Sequence, residues 1–413
     1  MKKLLVILTI LTIATGGTVL ILRPWEQKSA EQPASEQITA GQTSEQTEPK
    51  IDKIKEKLDG MTLDEKVSQL IIAQAPQATA LQATSRTTSE PTIEKLTTAP
   101  YGGYILMGDN FRTLAKTREF VEKLQEKAKT PLIITTDQEG GSVQRIQSIT
   151  DKTPTDIPFM YQVGQTGSPA KAKTIGRVMA EELRTIGINV DAAPDADVYS
   201  NPYNTVIGQR SFSSNPEVVA KMSEALASGL EENGVMPIYK HFPGHGNTAT
   251  DSHSSLPIIE STREDLENVD LVPFKNAIKN DAKIIMVGHI ALPSITGDNT
   301  PATLSKSLTT NLLRNELGFK GLIMTDGLNM GALTSNYDDT KIYQMAVEAG
   351  ADLLLLPTDP ELAVNTIKEN ISEERINESV YRILDFKEKY LSNYQYLDAS
   401  YFGSDEHKQA VSL

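Results

Sequence analysis

Residues 236–246 read MPIYKHFPGHG. An apolar run passes into the charged pair Lys240–His241 and halts at Pro243, Gly244 and Gly246, residues that break regular structure. This reads as a short buried strand that delivers polar side chains at its C-terminal end. Seven other runs repeat the plan: LIIA at 70–73, YILM at 104–107, LIITTD at 132–137, NVDAAP at 189–194, IIMVGH at 284–289, LIMTDG at 322–327 and LLLLP at 353–357. Between them lie stretches with apolar residues at helical spacing, such as REFVEKLQEKAK at 118–129, AKTIGRVMAEELRTIG at 172–187 and PEVVAKMSEALASGLEENG at 216–234. Strands that are apolar on both faces and alternate with helices form parallel sheets. Eight such units predict an α/β fold, a single (β/α)8 TIM-type barrel. An open doubly wound sheet is the structural alternative, but no Gly-x-Gly-x-x-Gly turn follows the first run.

The barrel is expected over residues 51–398. Thr62 and Glu65 form a capping-box signature at its first helices. After the amphipathic stretch ESVYRILDFKEKYL at 378–391 the chain turns polar, and residues 399–413 read as a trailing tail. Lys2 and Lys3 precede an apolar run from Leu4 to Leu22, so residues 1–25 read as a signal peptide or a retained membrane anchor. Residues 26–50 are rich in Glu, Gln, Ser and Thr and read as a disordered linker. The expected location is the outer side of the cytoplasmic membrane, anchored or secreted.

The net charge is −14, and no Lys/Arg-rich block follows the first residues, which argues against nucleic acid as a partner. The 413 residues contain no cysteine, which excludes disulfides, thiolate metal sites and cysteine nucleophiles. No cofactor and no protein partner is called for.

Polar residues gather where the strands end. Asp137, Lys240, His241, His289 and Asp326 each close a run, and in a barrel these ends meet at one face. Any one of them could be an ordinary turn residue; their coincidence is the signal. The loop after Lys240 carries His241, His245 and His253, three of the five histidines. Asp251 precedes His253 by two residues, which in extended chain puts both on one side. A carboxylate placed there orients an imidazole for proton transfer. Zinc held by the three histidines and Asp251 is a competing reading. Asp326, kept ionised by Arg145, Arg210 or Lys240, has the character of a carboxylate nucleophile.

At these residues the sequence resembles family 3 glycoside hydrolases, and within them the bacterial β-N-acetylglucosaminidase branch. The shared marks are DQEGG-x-VQR at 137–145, GQRSF at 208–212, KHFPGHG at 240–246, DSH at 251–253 and TDGLNM at 325–330, and the likeness covers roughly residues 55–392. The resemblance implies a retaining two-step mechanism with Asp326 as nucleophile and His253, held by Asp251, as acid and then base. It implies that Asp137, Arg145, Arg210, Lys240 and His241 bind the terminal sugar, and that no metal takes part. Gly327 stands where many relatives carry an acid, and Ser142 where arginine is common. With an export segment, the expected substrates are GlcNAc-containing cell-wall glycans or muropeptides. A β-glucosidase, a phosphorolytic enzyme and a non-catalytic sugar-binding barrel are the remaining readings.

Overall fold

The computed structural model describes residues 52–76 and 101–413. The expected signal or anchor (1–25) and linker (26–50) lie outside the described residues. Within the described residues no helix is long and apolar enough to cross a membrane.

Eight parallel strands form the sheet: β1 Ile71–Gln74, β2 Gly103–Ile105, β3 Ile133–Thr136, β4 Val190–Asp191, β5 Met236–Phe242, β6 Ile284–Val287, β7 Leu322–Thr325 and β8 Leu354–Leu355. Each falls inside one of the eight apolar runs to within one residue, Gln74 and Gly103 lying just outside theirs. They pair in sequence order from β1 to β7, and β8 pairs back onto β1 with Ile71 opposite Leu354. A bridge between Met324 and Leu353 joins β7 to β8, so the ladder closes. Every strand residue except Gln74 is buried. That two-sided burial is why the runs are continuously apolar rather than alternating. The chain is a (β/α)8 barrel. Helices cover it, among them Leu114–Lys127, Pro169–Thr185 and Pro216–Glu232. Thr62 and Glu65 make the expected capping box.

β5 departs from regular pairing where it matters. Tyr239 lies opposite Ile285 and Phe242 opposite Val287, so three steps on β5 match two on β6. Adjacent residues of a regular strand face opposite sides. The bulge breaks that alternation, and both Lys240 and His241 line the cavity at the barrel mouth.

The C-terminal segment corrects the sequence reading. Residues 399–413 do not trail off: a helix, Asp405–Val411, docks on the barrel's outer layer. The run is polar on average, but Phe402, His407 and Val411 are buried. His407 is the keystone. Its Nε2 lies 2.7 Å from Glu181 and its Nδ1 3.2 Å from Glu182, both on the helix Pro169–Thr185. Glu182 also accepts from Thr155 and from the Gly403 N–H. A carboxylate at each nitrogen favours the protonated ring, in which both nitrogens donate. Burial opposes that charge, but the bonds to Glu182 and Glu181 outweigh it and raise the pKa above 6.5.

A raised folded-state pKa means that the stabilisation is fully present below the unfolded value and fades as pH rises through the folded one. His407→Ala should therefore cost about 1–3 kcal/mol at pH 6. Its deficit against the parent should shrink at alkaline pH, read from urea midpoints at both pH values.

Candidate active site

The strand ends surround a cavity of about 300 Å³ lined by Asp137, Glu139, Arg145, Arg210, Lys240, His241, His253 and Asp326, among others. Of the predicted site residues only Asp251 does not line it directly; that residue reaches the site through His253.

Asp326 follows β7 and continues the ladder on both sides. Its N–H donates to Val287 O of β6 at 2.9 Å, and the N–H of Leu328 donates to Leu355 O of β8 at 2.9 Å. The carboxylate is thus carried on the closed rim rather than on a free loop. Burial would raise its pKa, but His289, His241, the Gly327 N–H at 2.7 Å and Lys240 together bring it down to about 2. Lys240 was among the cations expected to hold Asp326 ionised. Arg210 and Arg145 instead turn to other acids.

Those other acids are Glu139 and Asp137. Glu139 sits in a small hairpin, Gln138–Gly140 paired with Val143–Gln144, directly after β3. Arg210 grips Glu139 with two bonds, Nε at 2.8 Å and Nη2 at 2.9 Å. Lys240 Nζ reaches Glu139 at 2.5 Å and Asp137 at 2.8 Å. Arg145 approaches Asp137 at 3.8 Å, and its Nε has no hydrogen-bond partner among the described residues. Burial pushes the Glu139 carboxyl up, yet Arg210 and Lys240 hold it well below the usual carboxylate range. Glu139 was not singled out in the sequence, although it stands two residues past Asp137.

One further residue escaped the sequence reading, and another was marked there only by its place at a strand end. Asp197, fully buried beyond β4, lies 2.7 Å from His241 Nδ1 and accepts the His245 N–H at 2.7 Å. Burial disfavours a charged His241, but Asp197 outweighs it and raises the pKa. The acidic spacing Asp191, Asp195, Asp197 at a strand end was the available signal. His289, expected at the end of the sixth run, has a role that its contacts define. Its Nε2 lies 2.8 Å from Gly327 O, and its Nδ1 2.8 Å from Thr303 Oγ1. A carbonyl only accepts, so Nε2 carries the proton, and burial lowers the pKa of the ring while the nearby Asp326 carboxylate opposes that shift. His289 thereby pins the peptide that follows Asp326.

His253 Nδ1 lies 2.8 Å from Asp251 Oδ1, which also accepts the His253 N–H at 2.9 Å. The pair is exposed, with side-chain exposures of 69% and 48%. The zinc alternative required four donors around one point. They turn to separate partners instead: His241 to Asp197, His253 to Asp251, and His245 to Thr248 and Ser252. Among the described residues the group with metal-type spacing is Asp195, Asp197 and His241, and Arg210 stands 3.5 Å from Asp195.

A buried carboxylate shared by two buried cations is costly to remove, because each cation then loses its counter-charge. Glu139→Ala should destabilise the protein by about 3–5 kcal/mol in urea denaturation. Adding Lys240→Met should restore part of that loss. The contribution of Glu139 is present above its ordinary value of 4.5 and is lost as pH falls below it toward the depressed folded value.

The model of the Glycosyl hydrolase family 3 N terminal domain matches residues 62–386. Beta-hexosaminidase A of Pseudoalteromonas piscicida is 33% identical over 321 residues, covering 70% of this chain and 53% of that protein. The chain thus spans about half the length of that relative. A Beta-hexosaminidase of Nitrosomonas eutropha is 36% identical over 268 residues, covering 63% of this chain and 75% of that protein. Among solved structures, a glycoside hydrolase family 3 beta-N-acetylglucosaminidase from Paenibacillus sp. str. FPU-7 superposes with a TM-score of 0.76 at 33% identity, covering 85% of this chain and 68% of that one.

Proposed function

The chain belongs to glycosyl hydrolase family 3, and from that premise we propose that it is a retaining exo-β-N-acetylglucosaminidase. The observation that carries this reading is one cavity lined by both an ionised carboxylate, Asp326, and an imidazole, His253, that is oriented by its own carboxylate. In the first step Asp326 attacks the anomeric carbon while His253 gives a proton to the departing glycosidic oxygen. In the second, the now neutral His253 takes a proton from water, whose oxygen displaces Asp326 and releases the sugar. Asp137, Lys240, Arg210 and His241 supply charged hydrogen-bonding groups for the sugar hydroxyls. The cavity lies at the small end of the ~300–1,000 Å³ span of ligand sites, which suits one terminal sugar rather than a threaded chain.

The substrate proposed is a terminal, non-reducing β-linked GlcNAc on peptidoglycan-derived glycans or muropeptides. Support comes from the likeness to beta-hexosaminidases and from the apolar run near the N-terminus, which, read as an export or anchor segment, goes with a catalytic domain on the outer side of the cytoplasmic membrane.

The test is release of 4-nitrophenol from its β-N-acetylglucosaminide. Asp326→Ala should abolish turnover, and His253→Ala should lower kcat by about 10²–10⁴-fold. Mass spectrometry after trapping with a 5-fluoro sugar should locate the label on Asp326; a label elsewhere removes the assignment. Because Asp326 is ionised above about pH 2, the acidic limb of the pH–rate profile should lie well above that value and should not report this carboxylate.

A further inference from the structure

The acid/base pair is the exposed part of an otherwise buried site, and its loop is fastened at a point remote in sequence. Residues 251–255 form a tight turn: the N–H groups of Ser254 and Ser255 both donate to Asp251 O, at 3.0 and 3.1 Å. The carbonyls of the next two residues point away from the turn and are taken up elsewhere. Gly331 N–H donates to His253 O at 3.1 Å, and Ala332 N–H donates to Ser252 O at 3.1 Å. These donors open the short helix Gly331–Thr334. A third fastening lies beneath, where buried His245 Nε2 meets Ser252 Oγ at 3.1 Å and its Nδ1 meets Thr248 Oγ1 at 2.7 Å.

Gly331 is five residues past Asp326, and the intervening turn is held firmly. Gly327 O receives both His289 Nε2 at 2.8 Å and the Met330 N–H at 3.1 Å. The nucleophile and the residue that docks the acid/base loop are therefore two ends of one fixed turn. The contact also has no room to spare. A Cβ on Gly331 would lie 2.7 Å from His253 O and 2.9 Å from Ser254 O, both backbone atoms that cannot rotate away. The backbone of Gly331 is not in the left-handed region, so glycine is required there by the approach of the loop and not by its own torsion angles.

We propose that Gly331 and Ala332 are positioning residues for catalysis: their two N–H groups dock the carbonyls of His253 and Ser252, and so set the imidazole at a fixed distance from the Asp326 carboxylate. The inference rests on the proposed glycosidase reading. Adding one methyl at 331 displaces the loop that bears the proton donor and leaves the ladder under Asp326 in place.

The experiment compares two aryl β-N-acetylglucosaminides, one with a 2,4-dinitrophenyl leaving group that departs without a proton and one with a phenyl group that needs one. For Gly331→Ala the expected result is a fall of about 10²-fold in kcat/KM on the phenyl substrate and a change within about threefold on the dinitrophenyl substrate. In a His253→Ala background the same substitution should cost no more than about twofold on either, because the group it displaces is already gone. Ser252→Ala, which removes the fastening to His245, should show the same substrate split at smaller size and keeps the proposal open to refutation if Gly331→Ala fails to fold. An equal loss on both substrates, or losses that multiply with His253→Ala, would overturn the docking role while leaving the glycosidase reading intact. A parent protein inert toward both substrates would overturn the glycosidase reading, and this inference with it.

Discussion

Lys240 brings an ammonium group into a part of the barrel that water scarcely reaches, and much of the mouth is arranged around that fact. An isolated buried cation is prohibitively costly, so it must meet anions. Asp137 and Glu139 supply them from the end of β3, two strands away, and Arg210 then shares Glu139. This ties the end of β5 to the end of β3 and to the segment after β4. It also explains the bulge in β5, because a regular strand would turn either Lys240 or His241 away from the cavity. The charge cluster is thus a constraint on the fold before it is a sugar-binding surface.

The site divides into a fixed part and an exposed part. Asp326, His241 and Lys240 are anchored by ladder bonds and buried ion pairs. His253 and Asp251 stand on a turn at the surface, joined to the rest by backbone hydrogen bonds and by the His245–Ser252 contact. Such a division suits a reaction in which one group forms a bond to carbon and needs fixed geometry, while the other handles a proton and must let water and leaving group pass.

All eight strands were legible in the sequence because two-sided burial writes itself as unbroken apolar runs. Part of the strand-end chemistry was legible for the same reason: Asp137, Lys240, His241 and Asp326 stand where apolar runs stop, and all four line the cavity. What escaped is instructive. Glu139 lies past the end of β3, in a hairpin that no periodicity marks, and its partner Arg210 is 71 residues away. Asp197 acts through His241 and the His245 N–H, so its spacing announces no role, and His289 stands at a strand end but acts on a carbonyl that spacing does not reveal. Residues 399–413 misled because average polarity hides three inward-facing side chains. Their partners lie more than two hundred residues earlier, and a sequence shows spacing along the chain but not proximity in space.

That last contact bears on how the molecule is made. The imidazole at position 407 closes onto a helix 226 residues upstream. During synthesis the Glu181–Glu182 pair has to wait for that imidazole until all eight strands have been made, with Arg177 beside Glu181 in the meantime. Partial assembly of the early βα units can proceed without it. The outer layer at that helix, however, is sealed by a residue made after every strand of the barrel, so this contact is one of the later ones to form.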